Sequence, residues 1–309
     1  MIEGSLLARV AAWVIVPAIS YGLFFLGCWA VLSAYQAIVL RLFPERSRIA
    51  RVKAQAALAS LWARQRRMMK PTLLLTPASV PGFSKIGGAP DLPAEVAWPV
   101  GERGLRVFVA QIDLAAFQMH SVFDWLPSEG RLWFFFDPEK NGFADSVCVV
   151  ASKLPPTPQA SRERVNNGSC FAERRIAFMR FNSVPSADWL DVDQRVFAAA
   201  GDVEMRSFED CDLGDEIQHR IGGYPEEIQG GAMAIDCEFM RRGQTRNYGE
   251  EVPEAILRAS KAWRLLLQVD SDPAIGMNWW DGGRLYVFVR EKDAARADFS
   301  KTVTITQTH

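Results

Sequence analysis

Lys85-Ile-Gly-Gly-Ala-Pro-Asp91 returns later in the chain as Arg220-Ile-Gly-Gly-Tyr-Pro-Glu226: a base, Ile-Gly-Gly, one free position, a proline and an acid. Further along, Val107-Phe-Val-Ala-Gln-Ile-Asp113 comes back as Arg264-Leu-Leu-Leu-Gln-Val-Asp270, and Gly130-Arg-Leu-Trp-Phe-Phe-Phe136 as Gly283-Arg-Leu-Tyr-Val-Phe-Val289. Three motifs recurring in one order predict two copies of one structural unit. Gly87 to Asp113 is 26 residues and Gly222 to Asp270 is 48, whereas Asp113 to Gly130 is 17 and Asp270 to Gly283 is 13. The core pieces are kept and the loops vary, and the longer spacing predicts a helix around residues 253–262 in the second copy.

The repeated pieces read as strands. Residues 105–112 and 264–269 are short apolar, partly β-branched runs, and residues 131–136 and 284–289 are aromatic-rich runs launched by glycine. Side chains alternate along a strand, so Gln111 shares a face with Asp113, and Gln268 with Asp270. The connection over residues 151–215 is the least regular part, with Pro155-Pro156, Asn166-Asn167-Gly168 and the acidic run Glu209-Asp210-Cys211-Asp212, although residues 174–181 read as a strand.

Outward from the repeat, the N-terminal end is of a different kind. Residues 10–40 form 31 consecutive positions without Asp, Glu, Lys or Arg. That exceeds the roughly 20 residues a tilted helix needs to cross a bilayer, and falls short of two crossings with a turn. It is also too long for the apolar stretch of a cleaved signal peptide. Before it lie only Glu3 and Arg9; after it, from Arg41 to Lys70, nine Lys and Arg face the single acid Glu45. The excess of bases predicts that this side, and everything after it, is cytoplasmic. Residues 45–70 read as a helix opened near Pro44 and stopped at Pro71, with Ile49, Val52, Ala56, Ala59 and Trp62 three or four apart. Its bases either sit at an anionic inner leaflet or serve only to fix topology on a solvated spacer.

The expectation is therefore an α+β fold: an internally duplicated, mainly antiparallel β-sheet domain preceded by one transmembrane helix and a basic juxtamembrane helix. The divisions are a tail (1–9), the span (10–40), the basic helix (41–71) and the domain (72–309), the last made of a first copy (72–150), the connection (151–215) and a second copy (216–309). The net charge of −1 over 309 residues argues against a nucleic-acid partner. Five cysteines without paired spacing or a C-x-x-C ask for no oxidising compartment.

With these residues assembled, residues 72–309 resemble the YwqG-like family, also catalogued as a domain of unknown function, DUF1963. The resemblance rests on Ser84-Lys-Ile-Gly-Gly-Ala-Pro-Asp-Leu-Pro93, Trp98-Pro99, Gln111-Ile-Asp113, Gly130-Arg-Leu132, Ile221-Gly-Gly-Tyr-Pro225, Leu267-Gln-Val-Asp270 and Asp281-Gly-Gly-Arg-Leu-Tyr286. It implies a duplicated α+β sheet domain and carries over no catalytic residue or cofactor. The apolar run at residues 10–40 departs from the soluble members of that family.

Candidate sites follow from the repeats. Lys85, Gly87 and Gly88, with Arg220, Gly222 and Gly223, form either anion-cradling backbone nests or tight turns between strands. No Walker or dinucleotide glycine pattern is present. The carboxylates Asp113, Asp270, Asp272 and Asp281 suit a hard cation or acid–base chemistry, or else close strand ends through Gln111, Gln268, Arg131 and Arg284. The run from Asp270 to Asp281 lacks the glycine and the acid that an EF-hand loop requires. Only His120, His219 and His309 are available, and none lies in a zinc-like cluster. The tryptophans Trp98, Trp125, Trp133, Trp279 and Trp280 belong to a recognition surface or to the core. Three readings of function stay open: a membrane-tethered binding domain, with anionic lipid and a protein as candidate partners; a hydrolase whose Asp113, Asp270 and Asp281 converge in one cleft, with or without a metal; and an immunity-like protein that neutralises a toxin by binding.

Overall fold

The structure, a computed structural model, describes residues 44–79, 82–116, 122–140, 142, 144–157, 171–185, 217, 219–230 and 232–308. The predicted tail and span (1–40), the first three residues of the predicted basic helix (41–43), most of the connection, His120, His309, Cys28, Cys170 and Cys211 lie outside these residues. No helix among the described residues is long and apolar enough to cross a membrane. The described chain falls into two compact units, one holding the first part of a helix up to Ser60 and the other beginning at Leu61.

That helix is α1, Pro44–Arg67. It starts at the proline that fits a first helical turn and ends four residues before the expected stop at Pro71, because Lys70 already belongs to a strand. The expected boundary at residue 71 is thus corrected: Lys70–Pro77 is strand β1, with Pro71 inside it. Ile49 and Val52 are more than half exposed, and Trp62 lies under the guanidinium of Arg66 at 5.1 Å.

The second unit is built on strands β1, β2 (Lys85–Ile86), β3 (Val100–Gly101), β4 (Gly104–Leu105), β5 (Val107–Asp113), β6 (Arg131–Phe136), β7 (Val147–Ser152), β8 (Arg174–Ser183), β9 (Arg220–Gly222), β10 (Trp263–Asp270), β11 (Arg284–Arg290) and β12 (Val303–Gln307). Short helices α2 (Met233–Arg241), α3 (Glu254–Ser260) and α4 (Glu291–Ala294) interrupt them, α3 falling where the longer spacing placed a helix. Apart from the hairpin β3–β4, the strands form one antiparallel sheet in the order β12-β11-β10-β9-β1-β8-β2-β5-β6-β7. The sheet curls until its edges nearly meet: Thr304 N donates to Ala144 O at 2.7 Å, and Val147 N to Thr304 Oγ1 at 3.2 Å. The fold is a mainly antiparallel, nearly closed barrel-like sheet with few helices among the described residues.

The order and registers correspond in the two halves. Lys85 faces Gln111 as Arg220 faces Gln268; Asp113 faces Arg131 as Asp270 faces Arg284. Even the register shift recurs, between Phe108 and Ala110 and between Leu265 and Leu267. One core, including Leu73, Ile86, Ile112, Phe134, Val269 and Val287, fills the inner face. The outer face differs. On β5–β6, Phe108, Trp133 and Phe135 pack under Leu92, Val96 and Trp98 of the proline-rich loop after β2. On β10–β12, Leu265, Tyr286, Phe288 and Val303 pack under Met233 and Cys237 of α2. The extra residues of the second half thus build a helical cover where the first half has a loop.

Candidate functional site

Each glycine motif closes on itself. Gly87 and Gly88 have φ of +67° and +74°, and Gly222 and Gly223 have +70° and +68°, a left-handed conformation costing other residues about 1–2 kcal/mol. A Cβ on Gly223 would stand 1.8 Å from Thr72 Oγ1. The double turn carries the chain back so that Asp91 meets Lys85 at 3.2 Å and Glu226 meets Arg220 at 2.7 Å. The strand glutamines secure the returning acid: Asp91 N donates to Gln111 Oε1 and Glu226 N to Gln268 Oε1, each at 2.9 Å. Gln111 also donates to Phe83 O and Asp91 Oδ2, both at 2.7 Å. In the first motif the two glycine amides donate to Val109 O and Phe171 O, and the buried Lys85 also reaches Glu173 at 2.9 Å. With its base turned inward and both glycine amides facing protein carbonyls, the first motif makes a clasp between strands.

The predicted carboxylates are not brought together. Asp113 on β5 lies 3.9 Å from Arg131 and accepts from Ala115 N; Asp270 on β10 lies 3.0 Å from Arg284 and accepts from Ser271 N. Four strands stand between β5 and β10 in the sheet order. Asp281 is exposed in the turn after Trp280. Among the described residues no group of three or more His, Cys, Asp and Glu is arranged to hold a metal ion. Of the tryptophans, Trp125, Trp133 and Trp279 are core, Trp98 donates to Arg106 O at 2.8 Å over Phe135, and Trp280 is the exposed one.

Asp272 gathers the polar cluster that the repeats alone do not announce. It is fully buried, and its carboxylate is bound by both Nη atoms of Arg174, accepts from Ala274 N at 3.1 Å, and stands 3.4 Å from His219 Nε2. His219 Nδ1 accepts from Asp270 N at 3.0 Å, so the ring carries its proton on Nε2, facing Asp272. The hydrogen bond from His219 first, then the charge of Arg174, hold the Asp272 carboxyl below the usual carboxylate range against desolvation. Ser84 stands at the position of His219 in the first half and does half of its work, its Oγ accepting from Asp113 N at 3.0 Å. The cluster ties the start of β8 to the residue before β9 and to the turn after β10. Both imidazole nitrogens are engaged, so it braces the sheet end and offers no free base.

The halves differ in one further respect. In the second, Arg284 Nη1 and Tyr286 Oη both donate to the main-chain oxygen of Glu226, at 3.1 and 2.5 Å. In the first, Arg131 and Trp133 hold the same register opposite Asp113 and Gln111. Among the described residues, Trp133 Nε1 and Arg131 Nε are buried and hydrogen-bonded to nothing. Arg131 instead lies over Phe83, 5.0 Å from its ring centre, and Phe83 meets Trp133 edge-on at 5.9 Å. The sequence displays this difference as Trp133 against Tyr286, a substitution of one outward aromatic donor by another that periodicity does not distinguish.

A family model described as a domain of unknown function, DUF1963, matches residues 84–307. No curated protein matches the chain.

Proposed function

The chain belongs to the DUF1963 family, and we propose that this member is a membrane-tethered, cytoplasmic binding domain whose sheet is an internal duplication. The duplication is supported by three repeated motifs and by matching registers, bulge included, on either side of the β1–β8 pair. The tether is supported by the charge of α1: seven bases and one acid begin four residues after a run of 31 uncharged positions. One observation carries the reading of a domain held at the membrane: the end of α1 is locked to the sheet. Gln65 Nε2 donates to Pro185 O at 2.9 Å, Tyr224 Oη donates to Met68 O at 3.0 Å, and Lys70 Nζ lies 4.1 Å from the Tyr224 ring. The bases of α1 favour anionic lipid, each contributing about 1 kcal/mol near such a surface.

Membrane fractions test this directly. The full chain stays in the pellet through an alkaline wash, whereas a chain starting at Pro44 is released by high salt; release of the full chain by the same wash overturns the tether. A reporter fused to His309 is active in the cytosol, and activity only on the far side overturns the orientation.

A further inference from the structure

Resting on the reading of the domain as held at a membrane, we propose that Lys70, beside the Tyr224 ring and within the field of Arg264, is a binding site for a phosphate group, from a lipid headgroup or free in solution. Taking an ammonium out of water is costly unless an anion accompanies it. The buried bases of the sheet follow that rule: Lys85 has Asp91 and Glu173, Arg106 has Asp137, and Arg220 has Glu226. Lys70 does not. It is half-buried at the start of β1 and, among the described residues, its Nζ meets no carboxylate, only the Tyr224 ring at 4.1 Å. Burial first, then the charge of Arg264, pushes its ammonium below the usual lysine range. An anion beside Nζ opposes both effects, and Nζ is open enough to receive one from solvent.

The charges around it select the anion. Arg264 is a fixed second cation: Nη1 donates to Lys261 O and Trp263 O at 2.7 and 3.0 Å, and Nη2 is paired with Glu291. Its charge acts on Tyr224 as well, so the ring and the two cations form one cluster. Tyr224 Oη donates to Met68 O at 3.0 Å, which ties that cluster to the end of α1, where Arg66 and Arg67 are exposed. Among the described ion pairs of Lys70, Arg264, Arg66 and Arg67, Glu291 is the only acid. Such an excess of positive charge suits a phosphate monoester, which carries about two negative charges and three acceptor oxygens at neutral pH, over a carboxylate with one charge. Lys70 follows the end of α1 by three residues, which puts it within reach of headgroups if α1 lies at a bilayer.

The test uses the full-length chain in dodecyl maltoside micelles, which carry no phosphate, with lysine labelled at Cε and arginine at Nε. Lys70→Gln assigns the Lys70 resonance. Titration with sodium phosphate at fixed pH is expected to move that resonance saturably, with a dissociation constant on the order of millimolar for so small a probe. Sodium chloride at matched ionic strength leaves it in place. The Arg264 Nε resonance follows the same curve, weakened about tenfold in Lys70→Gln, the effect of losing one charged hydrogen bond, and retained in Lys70→Arg. Phosphatidic acid added to the micelles moves the Lys70 resonance where a lipid supplies the phosphate, and oleate at equal charge does not. Movement with sodium phosphate alone supports the site and assigns it to the free anion. No saturable movement with either phosphate, an equal movement with chloride or oleate, or an unchanged Arg264 titration in Lys70→Gln each overturns the proposal. A chain that needs no detergent is titrated in buffer with the same expectations, so the site and the tether fail separately.

Discussion

At the scale of single residues, the buried Asp272 is the position where one atom's chemistry matters most. Asp272→Asn keeps the shape but removes the charge facing Arg174 and one of the acceptors they share, and breaking a buried pair of this kind costs about 3 kcal/mol. Urea unfolding at neutral pH measures it, and a loss under about 1 kcal/mol would show that water serves Arg174 equally well. Glu238 gives the corresponding pH dependence. Arg241 foremost, with Arg242 and the Trp263 indole, lowers its carboxyl to about 2 from the ordinary 4.5. A folded value below the unfolded one stabilises above the unfolded value and is lost as pH falls, so this contribution disappears between pH 4.5 and about 2. The full shift corresponds to roughly 3 kcal/mol, reduced to about 2 because the guanidinium partners are a third exposed. Glu238→Gln should flatten that part of the stability–pH curve, and an unchanged acid limb would refute the assignment. The glycines separate conformation from space. Gly276→Ala, at φ +70° with nothing within 4 Å, should cost only the left-handed penalty of about 1 kcal/mol. Gly223→Ala, at nearly the same φ but against Thr72 and Ser183, should cost several times more.

At the scale of elements, what was legible depended on length and repetition. The strands at 107–113, 131–136, 263–270 and 284–290 announced themselves twice each, and Pro44 marked the start of α1. β1 was hidden because Pro71 reads as a helix stop, although here it sits inside a strand opposite Asn182. β2 has two residues and β9 three, too few for any alternation to register, and their places were known only through the glycines that follow them. The candidate site divided in the same way. The base, glutamine, aspartate and arginine of each repeat were visible as a set, but their partners were not: the acids at Asp91 and Glu226 close the clasps, and Arg174 reaches Asp272 across 98 residues of sequence. No periodicity encodes such contacts. The junction of α1 with the sheet is testable at this scale. Tyr224→Phe removes only the hydrogen bond to Met68 O, worth about 1 kcal/mol, so global stability should fall slightly while cleavage by trypsin after Arg67 becomes markedly faster. Unchanged cleavage would mean that Gln65 and the contact of Lys70 with the ring hold the helix end without that hydrogen bond.

At the scale of the whole sheet, the strand order makes the two halves interdependent. β1 precedes the first motif in sequence, yet its neighbours are β8, from within the connection, and β9, from after it. β8 in turn lies between β1 and β2, pairing with β1 over eight residues and with Lys85 and Ile86 of β2. Cutting the chain between residues 157 and 171 leaves β2, β5, β6 and β7 as a sheet in one fragment, with β1 stranded apart from both its partners. The other fragment retains β9 to β12 and isolates β8. Each fragment alone then exposes a strand edge and half of a core that includes Leu73, Ile86, Ile176 and Ile221 from all four central strands. Residues 44–157 and 171–309 should therefore each lack a cooperative thermal transition. Mixed in equal amounts, they should form a 1:1 complex that melts as one, because every broken pairing is an antiparallel ladder between the two pieces. Calorimetry and size-exclusion chromatography read both outcomes. A cooperative transition in either fragment alone would show that a half-sheet closes its own core, and that the exchange of β1 and β8 is not what binds the halves together.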